Sequence, residues 1–243
     1  MGKLKRYWIL TFVFLTVFLQ SCSDDDGYSI GDIGIDWVTV HVESDGLYTF
    51  TGDTWGTMFP AANAIWGYYP VEGQRALLYF NPLYDNYGGY DVGIKPEMIY
   101  PILTKSVESL TAENDKELGD DPAYITDLWI SGGYMNLMFK QKAPEKLKHL
   151  VSLVKRASEP AIADDGYIHL EYRYNTYGDT LDYVVPGVVS YNLDSLPLNE
   201  AKGIKLRVND AIYGERFITF TQKEEPLPES AKQVIESDVI RIK

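Results

Sequence analysis

The sequence predicts an all-β protein, built as a small N-terminal barrel followed by a C-terminal β-sandwich. Three observations predict it. Val, Ile, Thr and Tyr are plentiful, with 19 Tyr against 9 Phe, and these side chains suit a pleated, half-buried surface. Apolar and polar residues alternate with period two through short segments, as strands require. Gly, Pro, Asn and Asp punctuate the chain at nearly regular intervals, whereas long runs of helix-forming residues are missing.

The first thirty residues carry an address. Lys3, Lys5 and Arg6 form a basic start, and Tyr7 to Leu19 are apolar except for Thr11 and Thr16. That stretch suits the apolar core of a signal peptide and is too short to span about 30 Å of hydrocarbon as a helix. Leu19-Gln20-Ser21-Cys22 then resembles a lipobox, with a small residue before the cysteine. The thiolate of Cys22 would accept a diacylglyceryl group, and the freed amino group a further chain. Two or more acyl chains hold a protein stably to a bilayer. Cys22 is the only cysteine, so no internal disulfide exists and the lipid is what accounts for it. The segment Ser23-Asp24-Asp25-Asp26-Gly27 is a solvated acidic tether, similar to the export tract that places some lipoproteins on the cell surface. Residues 1–21 are therefore read as the signal peptide and 22–33 as lipidated Cys plus tether. The expected location is the outer membrane, exposed on the cell surface or else facing the periplasm.

The barrel is expected over 34–111. Asp36 to Glu43 alternates, with Val38, Val40 and Val42 on one face. Ser44-Asp45-Gly46 turns the chain and Leu47 to Thr51 begins a second strand. Arg75 to Phe80 is a compact apolar run. Tyr90 to Ile94 and Met98 to Val107 complete four or five strands, enough for a small barrel. The polar, acidic stretch 112–121 is expected to be a linker. The sandwich is expected over 122–243. Tyr124 to Ile130 and Tyr134 to Lys140 flank a Ser131-Gly132-Gly133 turn. Ile168, Leu170, Tyr172 and Tyr174 face one side of a strand; His169, Glu171 and Arg173 face the other. Further strands cover 183–185, 188–191, 204–208 and 217–220. Residues 144–155 fit a strand through Leu147, His149, Val151 and Leu153, or a helix with Leu147, Leu150, Val151 and Val154 on one face; the β neighbours favour the strand. A short helix near 229–236 and an edge strand at 239–242 close the chain.

Charge narrows the partners. The formal net charge is −13, and removal of residues 1–21, with three cations and no acid, leaves −16. Such a body repels phosphate backbones, so nucleic-acid binding is not expected. Its only membrane contact is expected to be the lipid anchor. His41, His149 and His169 lie in separate strands without ligand spacing, read as solvent-facing rather than as zinc ligands. Asp85, Asn86 and Asp91 bracket a Gly-rich loop; a solvated loop is the default reading and a Ca²⁺ site the alternative. There is no Gly-x-Ser-x-Gly elbow, and Gly187 to Tyr191 reads as a strand. Neither catalysis nor a cofactor is expected. The binding candidates are aromatic: Trp66, Tyr68 and Tyr69 in one Gly/Pro-bounded loop, and Tyr84, Tyr87 and Tyr90 in the next. Exposed rings offer contact area at low entropy cost, to a protein or a sugar face. Alternatively, the rings pack between the two domains.

The whole pattern resembles the NigD-like lipoproteins. The resemblance is carried by Arg75-Ala76-Leu77-Leu78-Tyr79-Phe80, Ile102-Leu103-Thr104-Lys105, Ile130 to Phe139, Ile168 to Asn175 and Gly187 to Leu193. It implies an OB-like N-terminal barrel followed by a β-sandwich. It also implies an immunity or accessory role. The acidic body suits a basic protein partner, the tyrosine loops suit a glycan as the alternative, and a purely structural role in the envelope is the third reading.

Overall fold

The computed structural model describes residues 28–29, 31–44, 46–62, 65–221, 227–233 and 242–243. Cys22, the acidic segment behind it and most of the expected 239–242 edge strand lie outside the described residues.

Five strands, β1 (Gly34–Val42), β2 (Tyr48–Gly52), β3 (Gly56–Pro60), β4 (Arg75–Asp85) and β5 (Val92–Pro101), close into a barrel in the order β1-β2-β3-β5-β4. Alternation decides what fills it. Val38, Val40, Phe50, Met58, Ala76, Leu78, Phe80, Val92 and Ile94 point inward and form one buried cluster. Closure hides every strand edge of this small sheet. Gly52 is required by proximity: a Cβ there would sit 2.2 Å from Oδ2 of Asp36. Val42, expected on the inner face, is at the end of β1 and exposed.

The second body has two sheets. The four-stranded sheet runs β6-β12-β9-β8, with β6 (Leu103–Ser106), β8 (Tyr124–Ser131), β9 (Tyr134–Pro144) and β12 (Thr180–Asn192). The five-stranded sheet runs β14-β13-β11-β10-β7, with β7 (Glu108–Leu110), β10 (Leu150–Arg156), β11 (Ile168–Asn175), β13 (Ile204–Asp210) and β14 (Gly214–Phe220). Leu137, Phe139, Leu153, Leu170, Tyr172, Tyr174, Tyr191 and Leu206 fill the space between them. The all-β barrel-plus-sandwich class is thus what the chain forms.

Four sequence expectations are corrected. Residues 103–110 are not barrel: β6 pairs in parallel with β12 and β7 with β10, so the barrel ends at β5. The stretch 112–121 is not a linker between bodies. It follows β7, forms the short helix α1 (Asp115–Leu118), and is fastened to the outer face of the five-stranded sheet. There Arg173 pairs with the Asp115 carboxylate and donates to Gly119 O at 2.5 Å. Arg207 grips the Asp120 carboxylate at 2.9 and 2.7 Å, and Leu118 packs with Leu110 and Val154. His149 does not face solvent. It is fully buried, its ring nitrogens 3.0 Å from the Tyr174 hydroxyl and 2.9 Å from Asp179 O. Finally, 183–185 and 188–191 are one strand, β12, bulged between Thr180 and Val184. The ambiguous 144–155 segment resolves as strand from Leu150 onward. A 3-10 helix occupies Glu229–Gln233. Ile242 forms a parallel bridge with His149.

Barrel and sandwich meet through the outward face of β1 and β4. Trp37 and Leu77 pack with Ile102, Trp129, Val188 and Ala231. The Trp37 and Trp129 rings cross edge to face at 4.9 Å, a geometry that contributes about 0.5–1.5 kcal/mol beyond the area buried. Trp37 Nε1 donates to Ala231 O at 2.8 Å. Beside this apolar seam runs a polar one. Arg75, fully buried, donates to both Asp53 oxygens at 2.9 and 2.5 Å. Ser131 Oγ donates to Asp53 Oδ2 at 2.5 Å and accepts from Trp129 Nε1 and Asn136 Nδ2, each at 3.0 Å. Gly132, in the left-handed region at φ +58°, lets the turn between β8 and β9 lie against this pair: a Cβ would fall 2.7 Å from Asp53 Oδ1. The buried charge is therefore paired and its donors are shared out across both bodies.

Candidate functional site

The six aromatic candidates do not form one site. Strand register places them at opposite ends of the barrel. β4 runs antiparallel to β1, with Thr39 opposite Arg75 and Gly34 opposite Phe80. The β4–β5 hairpin, which bears Tyr84, Tyr87 and Tyr90, therefore projects past the start of β1. The β1–β2 hairpin, with Val42 opposite Tyr48, closes the other end. The Trp66 loop sits there, because the Tyr68 ring meets Tyr48 edge-on at 5.6 Å and Ile65 N donates to the Tyr48 hydroxyl at 3.4 Å.

At the β1–β2 end the loop divides labour among its rings. Tyr68 is half-buried on the barrel core, and its hydroxyl is enclosed with no hydrogen-bond partner among the described residues. Burial, helped by the neighbouring Tyr48, pushes its pKa up to about 12. Tyr68 is thus a peg. It leaves Trp66, 98% exposed, and Tyr69, 86% exposed, in solvent on either side. Val42, Leu47 and Val71 are exposed at the same end. The loop's return is pinned by Glu72, whose carboxylate accepts the Val42 N–H at 2.6 Å and lies 3.3 Å from His41 Nδ1. Those two contacts, the amide first, hold its pKa below the ordinary glutamate range. Tyr134 secures the loop from the sandwich side by donating to Gly73 O at 2.8 Å. Large apolar rings standing in water on a pinned loop are the arrangement by which binding surfaces anchor a partner. A groove of about 430 Å³ runs beside the loop, lined by Val71 to Gln74, Pro101 to Ser106 and Asn192. Its walls come from barrel and sandwich, and its titratable lining residues are Glu72 and Lys105.

At the hairpin end the rings pack on one another. Tyr84 stacks on Tyr87 at 5.4 Å with planes 22° apart, and Phe59 touches Tyr87 and Tyr90 at 5.8 and 5.2 Å. Tyr84 and Tyr87 are exposed and Tyr90 is half-buried. The acids of this loop have separate partners. Asp85 accepts from the Tyr28 hydroxyl at 2.6 Å, while Asp91 accepts from Thr57 N and Oγ1, both at 2.7 Å. The bonds from Thr57 lower the Asp91 pKa. The alternative in which the candidate rings fill the domain seam does not hold: Trp37, Leu77, Trp129 and Arg75 occupy it instead. Sequence reading missed those residues. Trp37 offered a signal, as a large apolar ring on the face of β1 opposite Val38 and Val40.

The two regions of the chain have matching family descriptions. Residues 37–102 match a NigD-like N-terminal OB domain and residues 106–222 a NigD-like C-terminal beta sandwich domain. Among solved structures, a Parabacteroides distasonis protein described as toxin-related is 31% identical, covering 78% of this chain and 92% of its own, with a TM-score of 0.67. A protein of unknown function from Bacteroides vulgatus is 25% identical over 87% of this chain and 100% of its own, with a TM-score of 0.70. A NigD-like immunity protein from Bacteroides caccae shares the fold at 19% identity, over 79% of this chain and 94% of its own, with a TM-score of 0.56. No curated protein matches the chain.

Proposed function

The chain belongs to the NigD-like family, and on that premise we propose that it is a lipid-anchored envelope protein that binds another protein and catalyses nothing. The observation that carries the reading is the Trp66–Tyr69 loop: two nearly fully exposed rings held out by a buried third. Leaving such rings in water is unfavourable by roughly 1.5–3 kcal/mol for each large apolar side chain that could otherwise be covered. A partner that covers them recovers that energy. Two of the similar structures carry names, an immunity protein and a toxin-related protein, that fit a protein acting by capture. The net charge of −16 after removal of residues 1–21 suits a basic partner. The lipobox ending at Cys22 and the acidic segment behind it support a location at the outer membrane, on the cell surface or else facing the periplasm.

A photo-crosslinking residue in place of Trp66, in cells that make the protein naturally, tests this. The expected result is one discrete adduct, absent when the same group replaces the fully exposed Asp182 on β12. Equal labelling at both positions, or none at 66 in folded protein, would overturn the reading. Exposed rings also stack on sugar faces, which supports a carbohydrate reading. A glycan array probed with residues 23–243 separates the two, since specific glycan binding lost on Tyr69→Ala would favour the sugar.

A further inference from the structure

The chain enters the barrel at one end and leaves it at the other. Tyr28 and Asp32 lie along the far part of β4: Tyr28 donates to Asp85 at 2.6 Å and packs against Trp55 at 6.2 Å, and Asn81 Nδ2 donates to Asp32 O at 2.9 Å. Entry is thus beside the β4–β5 hairpin. The exit is at the opposite end, where Ile102 N donates to Arg75 O at 2.8 Å and the chain turns into β6. The two sets of exposed rings are divided in the same way, with Tyr28, Tyr84 and Tyr87 at the entry and Trp66 and Tyr69 at the exit.

Resting on the reading that Cys22 carries the lipid, we infer that the hairpin end of the barrel faces the bilayer. Tyr28, Tyr84 and Tyr87 then lie at the headgroups, and the Trp66–Tyr69 loop points away from the membrane. Chain length decides between the two upright stances. From Cys22 to Tyr28 the chain spans six residues, at most about 20 Å when fully extended. β4 has eleven residues, about 33 Å along the strand and about 18 Å along the barrel axis at the steep tilt, about 55°, that the stagger of the five strands sets. A barrel standing on its Trp66 end would lift Tyr28 by that height plus the loop beneath it, which the tether meets only at full extension. The hairpin end alone leaves the tether slack. Tyr is also a side chain that favours the water–headgroup boundary, with its ring among the acyl carbonyls and its hydroxyl in water. Asp32, Asp85 and Asp91 at the same end suit zwitterionic rather than anionic headgroups. The stance leaves the loop read above as the partner site facing outward.

The test uses the full lipidated chain in phosphatidylcholine vesicles with a rhodamine headgroup acceptor. With Cys22 acylated, Tyr84→Cys and Trp66→Cys each carry a single free thiol for a donor dye, and both positions are exposed. Energy transfer should be at least about twofold greater from position 84 than from 66, given their separation of a strand's length. Equal or reversed transfer with acylated protein would overturn the orientation and leave the anchor standing. Absence of acyl mass on Cys22 would overturn both.

Discussion

At the scale of single residues, exposure separates side chains that hold the structure from those that are free to bind. Trp66→Ala removes a ring with almost no protein contact, so the unfolding midpoint should stay within about 0.5 kcal/mol of the parent. Tyr68→Ala removes the peg and should cost about 2 kcal/mol. Tyr68→Phe deletes a buried hydroxyl without a partner and should be neutral or stabilising by up to about 1 kcal/mol. Urea melts of the three variants check this; a destabilised Trp66→Ala would mean that the ring is structural. Acid sensitivity belongs to the same scale. Hydrogen bonds from Thr57 lower the Asp91 pKa, amides of Leu147 and Lys146 lower that of Asp179, and Lys205 with Tyr167 N lowers that of Asp165. A carboxylate whose folded pKa is depressed adds stability above its unfolded pKa, near 4, and loses it as pH falls through the folded value. Asp36 has the opposite sign, because burial raises its pKa against the amides of Thr54 and Trp55. Its contribution is present below the unfolded pKa and is lost as pH rises through the raised one. Stability measured from pH 5 to 2 should therefore fall, and Asp91→Asn should flatten part of that fall while leaving Asp36 titrating.

Elements were legible wherever local pattern alone decides them. β11 alternates without exception, so its inner face of Ile168, Leu170, Tyr172 and Tyr174 could be read directly from sequence. β12 was read as two pieces because Pro186 and the bulge after Thr180 interrupt its pattern, although β9 pairs along its whole length. Residues 103–110 were assigned to the wrong body because parallel pairing with β12 and β10 leaves no local trace. The acidic stretch was the largest miss. Asp, Glu and Gly in a row read as linker, yet the cations that neutralise them, Arg173 and Arg207, come from β11 and β13, 58 and 87 residues away from their partners. Arg173 is buried beside Glu171 and α1, so Arg173→Met should cost roughly 3 kcal/mol, the scale for breaking a buried pair. It should also open 112–121 to cleavage. Limited proteolysis with mass mapping would show new cuts there first; an unchanged digest would mean that Arg207 on Asp120 and the packing of Leu118 suffice to hold the stretch.

Across the whole molecule, the seam makes two small bodies behave as one. Trp37, Trp129 and the Arg75–Asp53–Ser131 chain join them, and none of these contacts was foreseen, since each pairs residues distant in sequence. The exposure of Trp66 and Tyr69 could be read from sequence, because aromatics between turn residues need no distant partner to be noticed. Only the structure divided the loop's rings into a peg and two free faces. Calorimetry should give a single cooperative transition for the parent, and Trp129→Ala, at a cost of about 3–5 kcal/mol, should lower it or split it in two. A single unshifted transition would show that the seam carries no coupling.

The most direct test of an anchored binding module is the intact mass and detergent-phase partitioning of the protein recovered from its own cells. Anchoring predicts a chain that begins at Cys22, carries diacylglyceryl and acyl mass there, and enters the detergent phase, while Cys22→Ala stays in the aqueous phase. A water-soluble parent with an unmodified Cys22 would contradict it.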